Sequence, residues 1–244
     1  VNTVILDIET VPYDAKPGMS LECAPGWEPS PATAQRRKCP GNFKNQNTIE
    51  AWEEKETVRH ALAVSEELDT NRTKALKHWR DGSLDWRRVR IVCIGLHSEH
   101  GSALFECYEP EQERAALLRM LDWIPREGKI VAFGSYDATK IRARLLAHRI
   151  HFGPFTTTAK PWERRVVDLQ AIAAEVLNGN ARQITGISVD ALCEFLGIDR
   201  PANPISGAEV LDAYVDGRSA EIGAHCVADV RDEFELWQRF EGAL

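Results

Sequence analysis

Asp7 and Glu9 stand two residues apart at the end of a short apolar run, Val4-Ile-Leu-Asp-Ile-Glu9. Val4, Ile5 and Leu6 read as a buried strand. A strand turns alternate side chains to opposite faces, so the two carboxylates project together, beside an apolar wall. Unpaired acids in that position repel each other and are costly to desolvate. A divalent cation is the simplest remedy, and hard oxygen ligands suit Mg2+ or Mn2+. A strand fraying into a loop, with both acids solvated, accounts for the same residues, and Asp-x-Glu by itself does not choose. The remainder of the chain has to decide.

The chain has 244 residues, enough for one large domain or two small ones, with 43% hydrophobic and 27% charged residues, as in an ordinary globular protein. The formal net charge of -7 argues against a surface coated for nucleic acid, though it leaves room for a local basic groove. Six cysteines lie at 23, 39, 93, 107, 193 and 226, none as Cys-x-x-Cys, which disfavours a zinc ribbon. Cys93, Cys107, Cys193 and Cys226 fall in apolar segments and read as small core residues. Cys23 and Cys39 flank a loop, where a disulfide lacks support. No apolar run has the length of a membrane span, and no basic-then-apolar leader opens the chain. A reducing, cytoplasmic home is the resulting expectation.

After Pro12 a Pro- and Gly-rich irregular stretch leads into a helical segment over about 48–79, with Thr48 as a candidate cap, either one helix or, with a break near 68–72, two. This insert, about 13–86, separates the first strand from the next, and loops of such length are usually functional. Strands follow at 89–97 and 102–108, joined by a hairpin turn at Glu99, His100 and Gly101. An amphipathic helix at 111–123 turns Ala115, Leu118, Leu121 and Ile124 to one side. A strand at 129–133 precedes a helix at 137–148 with Ile141, Leu145 and Leu146 inward and Lys140, Arg142, Arg144 and Arg149 outward. A short strand at 165–168 runs into a helix at 169–177. Further helices span 189–196, ended by Gly197, then 208–214 and 221–240. The expected fold class is α/β: a mixed sheet, partly hairpin and partly parallel, flanked by helices.

Asp137 follows the 129–133 strand and opens a helix. It is either a first-turn acid favoured by the helix dipole or a ligand at the carboxyl end of a strand. His225 and Asp229 lie four apart, on one helix face, between the small or apolar Ile222, Cys226, Val227 and Val230. They are either a surface pair or a buried pair needing a partner. Asp168 reads as a cap or supporting acid rather than a ligand.

In this order the residues resemble the DEDD exonuclease superfamily on a ribonuclease H-like fold. They are most similar to stand-alone exonucleases related to the 3′–5′ exonuclease domain of family B DNA polymerases. The likeness rests on Asp7-Ile-Glu-Thr-Val-Pro12, Val92-Cys-Ile-Gly95, Asp137, Arg165-Val-Val-Asp-Leu169 and Ala224-His-Cys-Val-Ala-Asp-Val230. Two departures stand out. The usual Asn a few residues before the acid is missing from Phe133-Gly-Ser-Tyr-Asp137, and His225 occupies the place of a tyrosine in the subfamily with four-residue spacing.

The resemblance implies one ribonuclease H-like exonuclease domain over 1–244 carrying the insert. It implies hydrolysis of the 3′-terminal phosphodiester of nucleic acid, DNA favoured, with two divalent cations, Mg2+ or Mn2+, about 3.5–4 Å apart. Asp7 would bridge the cations, Glu9 and Asp229 complete the first site, Asp137 support the second, and His225 act as base. Among the residues themselves, Thr10, Lys44, Asn45 and Arg88 are substrate-contact candidates. Arg36, Arg37, Lys38, Arg87 and Arg90 are further candidates for phosphate, and Trp27 and Phe43 for stacking on bases. A single-stranded 3′ end is the expected partner, with a replication or repair protein beside it and no membrane. The alternatives are a catalytically weakened nucleic-acid binder and a module whose insert docks a partner protein.

Overall fold

The computed structural model describes residues 2–21, 30–157, 160 and 164–242. The chain divides into two compact units, Ser20–Asp81 and the remainder. Cys23 and Trp27, with the suggested Cys23–Cys39 link, lie outside the described residues; Cys39 is a half-buried thiol.

The larger unit is built on five strands: β1 (Thr3–Pro12), β2 (Val89–Ser98), β3 (Gly101–Glu106), β4 (Lys129–Ala132) and β5 (Val166–Asp168). Their order is β3-β2-β1-β4-β5. β1 is central, antiparallel to β2 and parallel to β4, while β4 is parallel to β5. This is the mixed sheet expected of a ribonuclease H-like α/β fold. Six helices belong to the same unit among the described residues: α2 (Glu113–Trp123), α3 (Tyr136–Ala147), α4 (Leu169–Asn178), α5 (Val189–Leu196), α6 (Val210–Val215) and α7 (Ser219–Glu241).

The alternation of β1 sorts these helices to two faces. Val4, Leu6 and Ile8 join Leu117 and Met120 of α2 and Ile141 and Leu145 of α3. Ile5 instead joins Leu169 of α4, Leu192 of α5 and Val230, Leu236 and Trp237 of α7. Ile5 and Leu6 are fully buried, each contributing about 1.5–3 kcal/mol. Asp7 and Glu9 continue the row begun by Ile5, so β1 aims both acids at the face covered by α7.

Two helix faces differ from expectation. On α2 the buried residues are Glu113, Ala116, Leu117 and Met120, and Ala115 is exposed. On α3 Lys140 and Arg144 are buried rather than outward. Glu113 accepts two hydrogen bonds from Arg144, which buries that pair and rotates the α2 stripe by one residue, while the Ser83 carbonyl accepts from Lys140.

In the smaller unit α1 (Gln46–Arg80) is one continuous helix of 35 residues, not two. The weak helix formers near its middle are absorbed by back-bonding, Thr70 Oγ1 to the Glu66 carbonyl and Thr73 Oγ1 to that of Asp69. Its N-cap is Asn45, whose side chain accepts from the Asn47 N–H, so Thr48 is not the cap. The irregular segment before it is fastened along the helix. Glu67 accepts from Thr33 and Ala34, Glu56 from the Arg37 N–H, and Arg36 donates to Thr57.

Candidate active site

Asp7 pairs with Gly95 across β1 and β2, and Glu9 with Cys93. A Cβ on Gly95 would meet Cys226 Sγ at 2.8 Å and the Cys226 carbonyl oxygen at 3.1 Å. The glycine therefore lets the backbone of α7 settle directly on the sheet beside Asp7. That close approach sets His225, Asp229 and Glu233, one turn apart on α7, against the acids of β1. His225 Nε2 lies 3.4 Å from Glu9 Oε1 and 3.5 Å from Asp229 Oδ2.

Asp137 arrives from the other neighbour of β1. After β4 the chain turns through Gly134, whose N–H donates to Asp168 Oδ1 at 3.1 Å. The same oxygen caps α4 through the Ala171 N–H at 3.0 Å. Asp168 is thus a cap that also pins the turn opening α3, and the first turn of α3 presents Asp137, itself buried. A pocket of about 370 Å³ collects the result: Asp7, Glu9, Asp137, His225, Asp229 and Glu233 all line it.

The electrostatics are those of an acid cluster short of positive charge. Burial, then the Asp229 carboxylate, pushes Asp7 up to about 7. Burial, then Asp7, holds Glu9 and Asp137 well above the usual carboxylate range. Burial raises Asp229 too, against the pull of His225 and Arg200. The nearby cations are largely engaged. Lys140 Nζ donates to the Ser83 carbonyl at 2.6 Å, and Arg200 is held by Asp190 and Asp232 and reaches Asp229 only at 3.9 Å. Asp7 Oδ2 and Glu233 Oε2 are buried with no hydrogen-bond partner among the described residues.

This donor set fits a divalent cation. Ligand atoms of Glu9, His225 and Asp229 lie within 4.8 Å of one another, as do those of Asp7, Glu9 and Cys226. Carboxylate oxygens and one imidazole suit a hard or borderline ion. Cys226 is a poor member of such a set: its thiol is pushed well up, first by a hydrogen bond with Cys93 and then by burial, and it donates to the Asp7 carbonyl.

Asn203 was not apparent from the sequence. Its Nδ2 lies 2.6 Å from His225 Nδ1 and 3.3 Å from Asp229 Oδ1. An amide nitrogen only donates, so Nδ1 accepts and the ring proton sits on Nε2, facing the acids. Burial keeps His225 below its ordinary pKa, opposed by Asp229. Asn203 lies in a Pro-flanked loop with no periodic signal. Glu233 did have one, the four-residue step from His225 to Asp229 carried one turn further.

The contact candidates are spread out. Thr10 lines the pocket and donates to the Ser83 carbonyl at 3.2 Å, with the Tyr136 hydroxyl 3.3 Å away. Arg88 is half-buried beside Gly82. Lys44 is exposed in the smaller unit, where Asn45 caps α1. Arg90 is fully buried, donating to the Cys107 and Tyr108 carbonyls and to Tyr214, and so is a core residue rather than a phosphate contact. Arg87 pairs with Asp85.

Residues 84–243 match the sequence profile of a family described as a predicted 3′-5′ exonuclease related to the exonuclease domain of PolB. The chain belongs to this exonuclease family. Membership implies a nucleic-acid substrate. The matched residues hold Asp137, His225, Asp229 and Glu233, whereas Asp7 and Glu9 precede them. The predicted exonuclease is also similar to an uncharacterized protein of Methanocaldococcus jannaschii. The two are 27% identical over 161 residues, covering 61% of this chain and 84% of that one. Among its described residues no helix is long and apolar enough to cross a membrane.

Proposed function

We propose that the protein is a divalent-cation-dependent 3′-5′ exonuclease that hydrolyses the terminal phosphodiester of nucleic acid, with DNA as the favoured substrate. The observation that carries this reading is the buried, unpartnered Asp7 Oδ2 at the centre of four converging carboxylates. Asp7, Glu9, Asp137 and Asp229 hold two cations, Mg2+ or Mn2+. When bound, these supply an activated water and neutralise charge on the phosphate. His225 handles the proton. With Asn203 as placed, Nε2–H donates toward Glu9 and Asp229 and steadies their charge. With the Asn203 amide turned over, its Oδ1, buried and without a partner among the described residues, accepts Nδ1–H. Nε2 is then bare and able to take a proton. Thr10 and Arg88 contact the strand; Lys44 stays a separate candidate in the insert, where the Asn45 side chain is occupied by its cap. Cysteines that are all free among the described residues accord with a reducing, cytoplasmic setting.

A second reading, a weakened nuclease that mainly binds nucleic acid, is favoured by one observation: the Nε2–H tautomer is the wrong one for a base. One assay separates the two. Labelled single-stranded DNA and RNA are incubated with Mg2+ or Mn2+ and the products resolved. Laddering from the 3′ end is expected, with a loss of three orders of magnitude or more, about 4 kcal/mol, in Asp7→Ala. Binding without shortening of either strand would favour the second reading.

A further inference from the structure

Glu233 lies on α7 one turn beyond Asp229 and is 3% exposed. Its Oε2 is buried without a hydrogen-bond partner among the described residues, and it lines the same pocket as Asp7 and Asp137. The charges that act on it are Asp7, Asp137, Asp229 and Asp232, all negative. Protonation alone does not settle such an atom. An O–H needs an acceptor as much as a carboxylate oxygen needs a donor, and Oε2 has neither. A merely structural position of this volume is better filled by an apolar side chain. The ligand atoms of Glu9, His225 and Asp229 form one compact group that includes neither Asp7 nor Asp137. Asp7 and Asp137, the carboxylates that act most strongly on Glu233, are by themselves few ligands for an ion that takes six oxygens.

We propose that Glu233 is a fifth acidic ligand of this centre, serving a cation together with Asp7 and Asp137. The proposal rests on the cation-dependent nuclease reading and adds to it a residue of this chain.

Mn2+ is titrated calorimetrically into metal-free protein, wild type and Glu233→Gln, and melting is followed in EDTA and in Mn2+. Wild type is expected to bind two ions. Glu233→Gln should keep one site unchanged and weaken the other by about 10–100-fold. It should also melt no lower than wild type in EDTA and gain less from Mn2+. If Glu233→Gln gives no cooperative melt, Glu233→Asp, which draws the charge back by one methylene, takes its place with the same binding expectation. Two unchanged sites in the variant overturn the proposal and leave the nuclease reading standing. So does a sharp drop of the Glu233→Gln melt in EDTA with both sites intact, which marks a structural role. No Mn2+ uptake by wild type overturns the nuclease reading and the proposal with it.

Discussion

Glu113 and the acids around Asp7 are buried in the same unit and could hardly be treated more differently. Glu113 is 1% exposed, yet each of its oxygens receives two donors. Oε1 accepts from the Ile91 N–H and Arg144 Nε, Oε2 from Arg144 Nη2 and His148 Nε2, all at 2.7–2.9 Å. Glu233 is as deeply placed, and Asp7, half-buried as a residue, has a buried Oδ2; each keeps an oxygen with no partner among the described residues. A fold that can neutralise one buried acid so completely has no difficulty building such a site. Where it instead gathers five carboxyls, Lys140 sits on the Ser83 carbonyl and Arg200 chiefly on Asp190 and Asp232, reaching Asp229 only at 3.9 Å, and the proposed cations would supply the charge still missing.

The same chemical change should therefore have opposite effects at the two places. Glu113→Gln leaves the Arg144 guanidinium buried and uncompensated, and is expected to cost about 3–5 kcal/mol in chemical denaturation. A loss below about 1 kcal/mol would break the contrast.

Removing cations sharpens it from the other side. In EDTA, carboxyls whose pKa is raised in the folded state bind more protons there than in the unfolded chain. Stability then falls as pH rises from the ordinary carboxylate range, near 4, through about 7, where Asp7 ionises. Glu9, Asp137, Asp229 and Glu233 act in the same direction. His225, lowered by burial, opposes them weakly below its usual value. Saturating Mn2+ at neutral pH should restore about 2.7 kcal/mol at a hundredfold excess over Kd, or roughly 5–10 °C in Tm. A Tm in EDTA that is flat from pH 5 to 7.5 would count against a strained acid cluster.

The smallest effect concerns how α7 is seated. Gly95→Ala is expected to cost about 1–3 kcal/mol by pushing on the Cys226 backbone, and to weaken Mn2+ binding while the Glu113 cluster is untouched. Unchanged Mn2+ affinity in a folded variant would show that the close approach does not set the pocket.

Much of this was legible in the sequence because local rules and tertiary demands coincided. The apolar run through Leu6 made a strand, alternation put Asp7 and Glu9 on one face, and the four-residue step put His225 and Asp229 together. What stayed hidden depended on partners far along the chain. Arg144 looks like a solvated helix residue until Glu113, 31 positions earlier, is known to be buried beneath it. Lys140 is hidden by the carbonyl of Ser83, 57 positions away. Glu233 sits in a run of charges, Arg231-Asp-Glu-Phe-Glu235, where composition favours solvent and only the helical step marks one acid as different. Whether α1 breaks near 68–72 was open in the sequence; Thr70 and Thr73 bond back to carbonyls of their own helix, which runs on unbroken.

The carbonyl of Ser83 collects the Thr10 hydroxyl, the Tyr136 hydroxyl at 2.7 Å and the Lys140 ammonium at 2.6 Å. One carbonyl oxygen has two lone pairs, so the three donors share it, and the Thr10 and Tyr136 hydroxyls, 3.3 Å apart, can also bond to each other. An incoming acceptor oxygen can take up one of those hydroxyl hydrogens without untying the 82–85 turn, which keeps its remaining two anchors.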